Sequence, residues 1–417
     1  MSNLAAQPDR AQHKHALSLY LITIIAMAFS GQMIANSVGW QIYDLTKSAF
    51  YLGLVGLVQF IPMAAMTLFS GYIADHFNRK VVVLLSGIGF CVCYGYLMVS
   101  SYTKALHPSS LLMIAFIIGA VNSLNSPALQ SLLPNIVQRS ELTKATAQKT
   151  ACFQAATIIG PALGGLLYAM GAYVVYLVSA AVVLVGCVAI LGVWVAPRVR
   201  DSQPVNLHSL LGGAQYVRKH PVILGAISLD LFAVLFGGAT ALLPIFSSTI
   251  LHIGPIGLGF LRAAPALGAF FVSFYLARRP FTHRVGITMF SAVMVFGIST
   301  ICFAISRNFW FSFAVLIILG AADVISVVVR STLVQIQTPN EMLGRVNSIN
   351  QLFIGTSNQL GEFESGLTAA WFGAIPAALI GGIGTISIVL IWMKLFPRLR
   401  KMDQYEDSGE GDWIQEE

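Results

Sequence analysis

The sequence predicts an all-α polytopic membrane protein with twelve transmembrane helices, and three observations carry that prediction. Of its 417 residues, 56% are hydrophobic and only 10% charged, whereas an ordinary soluble domain is roughly a quarter charged. The apolar residues gather into twelve runs, each near the ~20 residues that a helix needs to cross the hydrocarbon core. The cations fall in the short connections between runs and are abundant in every second one. The formal charge of +7 therefore does not mark a nucleic-acid binder, which would concentrate Lys and Arg on one polar face.

The runs lie at about 17–40, 50–74, 81–101, 110–132, 148–170 and 173–195, then at 221–248, 255–277, 285–305, 309–330, 346–372 and 375–396. The first is too long for a signal-peptide core and has no convincing cleavage site after it, so it reads as a retained span. Tight connections such as Gly171-Ala172 and Gly373-Ala374 require antiparallel hairpins. The longest internal polar stretch, Ala196 to His220, separates the sixth run from the seventh. The expected organisation is a six-helix bundle over 1–195, a central loop over 196–220, a second bundle over 221–402 and a tail over 403–417. That tail carries seven acids and is expected to fray into water.

Twelve spans put both termini on one side. Nineteen of the 24 Lys and Arg residues lie in segments on that side, and only Lys47, Lys104 and Arg307 lie on the other. The positive-inside rule then places both termini in the cytoplasm. All five cysteines fall inside apolar runs, and Cys91 and Cys93 would point to different sides of a helix, so neither a disulfide framework nor a metal site is expected. Many of the 37 glycines sit within runs, as in Gly160-x3-Gly164 and Gly381-Gly382-x-Gly384. Small residues let helices approach closely, which alternating access needs.

Between the second and third runs the chain reads Gly71-Tyr72-Ile73-Ala74-Asp75-His76-Phe77-Asn78-Arg79-Lys80. Asn78 sits in a very short turn and tolerates left-handed backbone. The segment resembles the signature loop of the major facilitator superfamily, with Asn78 in place of the usual Gly. The resemblance implies two six-helix bundles and makes Gly71, Asp75, Arg79 and Lys80 part of a cytoplasmic gate. Run five contains Ala156-x3-Gly160-Pro161-Ala162-Leu163-Gly164-Gly165, where proline kinks the helix and glycines make room for a neighbour. This is similar to the antiporter motif of superfamily exporters at Gly160, Pro161, Gly164 and Gly165, with Ala156 in place of its first Gly. The Arg that proton-coupled drug exporters often carry in span four is missing; that run offers Asn122, Ser123, Asn125 and Ser126. Three further segments, Trp40 to Thr46, Arg330 to Gln335 and Gly361 to Gly366, resemble the subgroup that includes enterobactin-type siderophore exporters and macrolide efflux pumps. That resemblance implies a monomer in the bacterial inner membrane that needs no cofactor.

Ionisable residues inside a span cost at least ~2.5–3.5 kcal/mol on insertion scales and mark function by default. Asp230, Arg262, Asp323, Arg330, Glu362 and Glu364 are the candidates. Asp323 and Arg330 share a helix face but stand about 10.5 Å apart along it, too far for a direct pair. Arg330, near the inner boundary, reads as a gate or snorkelling residue, and Asp323 as the first candidate for protonation. Two residues turn a helix by about 200°, so Glu362 and Glu364 face different ways and run eleven needs polar surroundings on two sides. Asp230 and Arg262 have depths that match, so a salt bridge between them is expected, either permanent or moving. Gln32, Asn36, Gln59, Asn122, Asn125, Arg262 and Asn358 are candidate cavity residues for a small polar, aromatic or amphipathic solute, with ordinary interhelical hydrogen bonds as the alternative role for each.

The expected function is secondary transport that exports a small organic molecule, with protons as the coupling ion and Asp323, Glu362, Glu364 and Asp230 as coupling candidates. Proton-coupled uptake of a siderophore or nutrient is the alternative. An enzyme is not expected, because no nucleotide-binding loop, H-E-x-x-H or G-x-S-x-G occurs.

Overall fold

A computed structural model describes residues 10–76, 78–194, 207–279 and 281–405, with side chains placed from residue 15 onward except at 67–76, 139, 207–211, 239, 340 and 341. The first half of the chain forms α1 (Arg10–Thr46), α2 (Ala49–His76), α3 (Arg79–Tyr102), α4 (Pro108–Leu132), α5 (Leu142–Met170) and α6 (Ala172–Gly192). Next come α7 (Leu207–Lys219), α8 (Pro221–Phe236), the single turn α9 (Leu243–Ile245), α10 (Gly254–Arg278), α11 (Val285–Ile305), α12 (Phe309–Gln337), α13 (Asn340–Phe372), α14 (Ala374–Leu395) and α15 (Pro397–Lys401). Among the described residues, eleven helical segments are long and apolar enough to cross a membrane. The expected twelfth is α13, whose 33 residues carry Asn350, Gln351, Asn358, Glu362 and Glu364. Gly171 (φ 139°) and Gly373 (φ 91°) make the two predicted hairpin turns in backbone that L side chains rarely adopt.

Two compact units result; they divide within the central stretch, between residues 205 and 206, and one short segment of each half is assigned to the other unit. The first contains residues 1–47, 61–205 and 254–263; the second contains 48–60, 206–253 and 264–417. Each unit therefore takes one short segment from the opposite half of the sequence, the first part of α2 or of α10.

In the first unit α1 packs on α5 and α6. Side-chain hydroxyls bind it to backbone: Thr23 donates to the Gly186 carbonyl (3.2 Å), Ser30 to that of Ser179 (3.1 Å), and Tyr20 on α1 to that of Leu129 on α4 (3.0 Å). Buried Gln41 accepts from the Tyr176 hydroxyl and donates to Ser101 (3.1 Å). Helix α5 presents small residues to two neighbours. A Cβ on Gly164 would stand 3.0 Å from Met33 Cα of α1, and one on Gly165 would meet the Pro255 carbonyl and stand 3.2 Å from Gly259 Cα.

The second unit departs from the sequence expectation in three places. The expected continuous seventh span is broken after α8 by a 3₁₀ turn at Gly238–Leu242, and a π turn at Phe246–Ile250 follows α9. The central stretch 196–220 is not simply a loop, because residues 207–219 form α7. This helix packs on α13, where Gly213 lies against the Arg345 carbonyl, and reaches the end of α12, where the Tyr216 hydroxyl donates to the Gln337 carbonyl (3.1 Å); Val217 is buried with Ile223 of α8, Val334 of α12 and Val346 of α13. Arg218 and Lys219 occupy its last turn, where cations complement the helix dipole.

The tail is the third departure. Leu399 and Met402 are buried among Val285, Met289, Leu333 and Val389. The chain then crosses the start of α11, where Arg284 adopts left-handed backbone (φ 55°). Three amides there find tail acceptors: Arg284 N–H donates to Asp403 Oδ1 (3.0 Å), Val285 N–H to the Asp403 carbonyl (3.1 Å) and Gly286 N–H to the Met402 carbonyl (3.1 Å). Asp403 Oδ2 also meets His283 Nδ1 at 3.0 Å, and Gln337 donates to the Tyr405 carbonyl (3.4 Å). Asp403 is thus docked rather than frayed; residues 406–417 lie outside the described residues.

Two predictions follow from these contacts. Gly164→Ala should destabilise the protein by about 1–3 kcal/mol, since backbone cannot yield as a side chain can. Gly95→Ala, where a Cβ meets nothing within 4 Å, should be neutral, and thermal unfolding in detergent compares the two. The hydrogen bond from His283 and that from the Arg284 amide hold Asp403 below the ordinary carboxylate range. A carboxyl with a depressed folded pKa adds stability that is complete above its unfolded value and is lost as pH falls through the folded one. Asp403→Asn should therefore unfold at a lower temperature than the parent at neutral pH, and the difference should close in strong acid.

Candidate functional site

The polar centre of the second unit starts from one face of α12. Asp323, Ser326 and Arg330 follow at spacings of three and four residues, so they line up over two helical turns. Arg330 is 2% exposed and ion-paired with Asp230 of α8, which is 6% exposed. This corrects two expectations. Asp230 takes Arg330 as its partner, where Arg262 was expected, and the Arg330 guanidinium is buried instead of snorkelling to a boundary. Arg262 is half-buried and has a partner of its own.

A small cavity opens beside the pair. Its polar wall is Asp230, Asp323 and Ser326, and its apolar wall is Ala233, Val234, Val293, Phe296 and Ala322, so α8, α11 and α12 all contribute. The space admits about one water-sized occupant, far less than a drug-sized solute fills. Ser326 is 2% exposed, and its hydroxyl has no hydrogen-bond partner among the described residues. Asp323 is half-buried. The two carboxylates thus have different surroundings: one is neutralised by a guanidinium, and the other faces a cavity with a hydroxyl one turn away.

Glu362 and Glu364 are not part of this cavity lining. Glu364 accepts from the Thr368 hydroxyl (2.8 Å). Glu362 lies against the first part of α2, where a Cβ on Gly56 would stand 2.7 Å from Glu362 Cβ. One turn further on, Gly366 and Gly53 bring the same two backbones together, with a Cβ on Gly53 only 2.9 Å from Gly366 Cα. Among the other small and polar residues of α13, Asn350, Ser357, Gly361 and Ser365 are buried, whereas Gln351 and Asn358 are exposed.

In the first unit, Gln32 and Asn36 both face α5. Gln32 Cβ would lie 2.7 Å from a Cβ on Gly160, and Asn36 Nδ2 donates to the Pro161 carbonyl at 3.4 Å. Gln59 is half-buried, Asn122 is exposed, and Asn125 is buried with its Oδ1 lacking a hydrogen-bond partner among the described residues. At the signature loop Asn78 adopts extended backbone (φ −65°), not left-handed, and its Oδ1 caps α3 by accepting from the Lys80 amide (3.0 Å). Arg79 donates to the Ser131 carbonyl, and Lys80 donates to the Leu191 and Val193 carbonyls (2.7 and 2.9 Å), closing the exposed ends of α4 and α6. Gly71 and Asp75 fall in the stretch whose side chains lie outside the described residues. Sequence reasoning missed Ser326, although its spacing from Asp323 and Arg330 marks it as their neighbour.

Long apolar helices around buried intramembrane charges mark a membrane-spanning protein, and its family match makes it a transporter of the major facilitator superfamily. Residues 12–417 match the family described as transmembrane secretion effector, and the chain belongs to that family. Enterobactin exporter EntS of Citrobacter koseri is 26% identical over 409 residues, covering 94% of each chain. Enterobactin exporter EntS of Escherichia coli O1:K1 / APEC is 24% identical over 401 residues, again covering 94% of each. Among solved structures, a bacterial homologue of the human lysosomal transporter Spinster, inward-facing and unoccupied, superposes with a TM-score of 0.73 at 13% identity, covering 94% of this chain and 97% of that one. A variant of the nucleoside transporter NupG superposes with a TM-score of 0.74 at 14% identity, covering 92% and 100%. At those identities the structures show the fold alone.

The ion pair makes a sharp prediction. Asp230→Asn leaves a buried guanidinium uncompensated and should destabilise by about 3–5 kcal/mol. Combining it with Arg330→Met should cost clearly less than the sum of the single changes. Thermal unfolding of all four proteins tests this, and strict additivity would refute the pairing.

Proposed function

We propose that the chain exports a small organic molecule, of siderophore or drug type, by alternating access with proton antiport. The whole-length likeness to enterobactin exporters carries this reading. The packing of α5 supports it: Gly160, Pro161, Gly164 and Gly165 are all buried in close helix contacts. In this reading both termini are cytoplasmic, and the signature loop with Gly71, Asp75, Arg79 and Lys80 belongs to the gate on that side.

Coupling needs a carboxylate whose charge is expensive in one state and tolerated in another. Asp323 meets that requirement best, because Asp230 is already neutralised by Arg330; Glu362 and Glu364 are the further candidates. Energetically one proton suffices for a useful gradient. Moving one charge through 100 mV yields about 2.3 kcal/mol, which holds a neutral solute at about a fifty-fold gradient.

Two measurements test the proposal. A deletion strain should lose a metabolite from its medium or become sensitive to a drug; lowered uptake with neither change would reverse the direction. In vesicles under an imposed pH gradient, Asp323→Asn should abolish pH-driven transport. If Asp323→Asn, Glu362→Gln and Glu364→Gln all keep the parent's pH dependence, the coupling assignment is wrong.

A further inference from the structure

We infer that the cavity between α8, α11 and α12 binds a dehydrated monovalent cation, with sodium as the matching ion, through the Asp323 carboxylate and the Ser326 hydroxyl. The inference rests on the reading of Asp323 as a coupling group. It names a second ion for the same cavity.

Three independent properties of the cavity lead to that occupant. The first is the unpartnered Ser326 hydroxyl, 2% exposed, in the wall of a cavity that also carries two carboxylates. Buried polar atoms in native proteins are paired with protein, water or an ion, so this oxygen requires an occupant. The second is size, since about one water-sized particle fits and an organic solute is excluded. The third is charge. Arg330 cancels Asp230, which leaves Asp323 as the only uncompensated charge in the lining. A water molecule would satisfy Ser326 but leave that charge unbalanced in largely apolar surroundings. One positive charge balances it, whereas a divalent ion would leave an excess charge buried.

Ligand chemistry narrows the choice further. The lining offers carboxylate and hydroxyl oxygens, with no His, Cys or Met among it, which suits a hard cation and not a soft transition metal. Asp323 and Ser326 are three residues apart on α12 and therefore project from the same face. Asp230 on α8 adds a second carboxylate at the rim, where it remains engaged with Arg330.

The test uses the purified full-length protein in detergent at pH 8, with choline chloride replaced stepwise by sodium or potassium chloride. Sodium should raise the unfolding temperature saturably and more than potassium does. Ser326→Ala, a small change that should fold, should raise the half-saturating sodium concentration by about tenfold, the expected loss of one ion–oxygen contact. Asp323→Asn should remove the sodium effect. Absence of a sodium-specific shift in the parent, or an identical shift in both variants, would overturn the site. Export in sodium-free vesicles separates the two readings: pH-driven export that persists unchanged in Asp323→Asn overturns the coupling role, whereas a missing sodium shift overturns the ion site.

Discussion

In lipid an apolar helix face gains nothing by touching another apolar face, because the acyl chains are equally apolar. Everything that holds this protein together follows from that constraint. Helices associate where glycine lets backbones meet, as at Gly53 and Gly366, Gly165 and Gly259, or Gly320 and Pro265. They also associate where a hydroxyl or indole reaches across, as from Thr385 to the Ala233 carbonyl (3.1 Å) and from Trp392 to Ser228 (3.0 Å). Many large side chains face outward as well: Leu85, Val92 and Trp310 are 61%, 67% and 72% exposed. Small residues and single hydrogen bonds thus join the helices where they cross, beside a core that buries large side chains such as Phe246, Phe290 and Phe303.

Against that background the polar line on α12 is costly and specific. A buried ion pair such as Asp230–Arg330 is weak evidence for stability, because desolvation offsets most of the attraction. What it fixes is register, since sliding α8 past α12 by one turn would separate the charges by about 5.4 Å. Asp323, two turns from Arg330 on the same face, is spared that pairing. The same helix thus holds one carboxylate's partner in place and presents a second carboxylate to a cavity, so position along α12 alone divides the paired carboxylate from the one without a guanidinium.

Much of this was legible in the sequence, because the bilayer demands long apolar runs and tight turns. Eleven of the runs form helical segments that meet the length and apolarity of a span, and Gly171 and Gly373 turn where expected. Asp230 illustrates what was not legible. Depth along a run suggested Arg262 as its partner, but partners are set by which helices adjoin, and α8 adjoins α12. Asn36 and Gln32 form a polar stripe on α1 that was equally compatible with a cavity or a neighbour, and the glycines of α5 supply the neighbour. The break after α8 was hidden because most of its residues remain apolar, with Gly237-Gly238 and Pro244 as the local signals. In the tail, the abundance of acids masked the single Asp403 that caps a helix.

The cap on α11 comes from residues made long after the helix itself, since Asp403 lies 119 positions beyond Arg284. Until residues 399–405 have been synthesised, the amides of Arg284, Val285 and Gly286 lack the acceptors that Asp403 and Met402 supply, and the core beside Met289 lacks Leu399. The second unit therefore completes its fold only once residues 399–405 have been made, whereas the segments of the first end at residue 263. A chain cut before residue 399, or a fusion joined within residues 399–405, would carry an unfinished second unit.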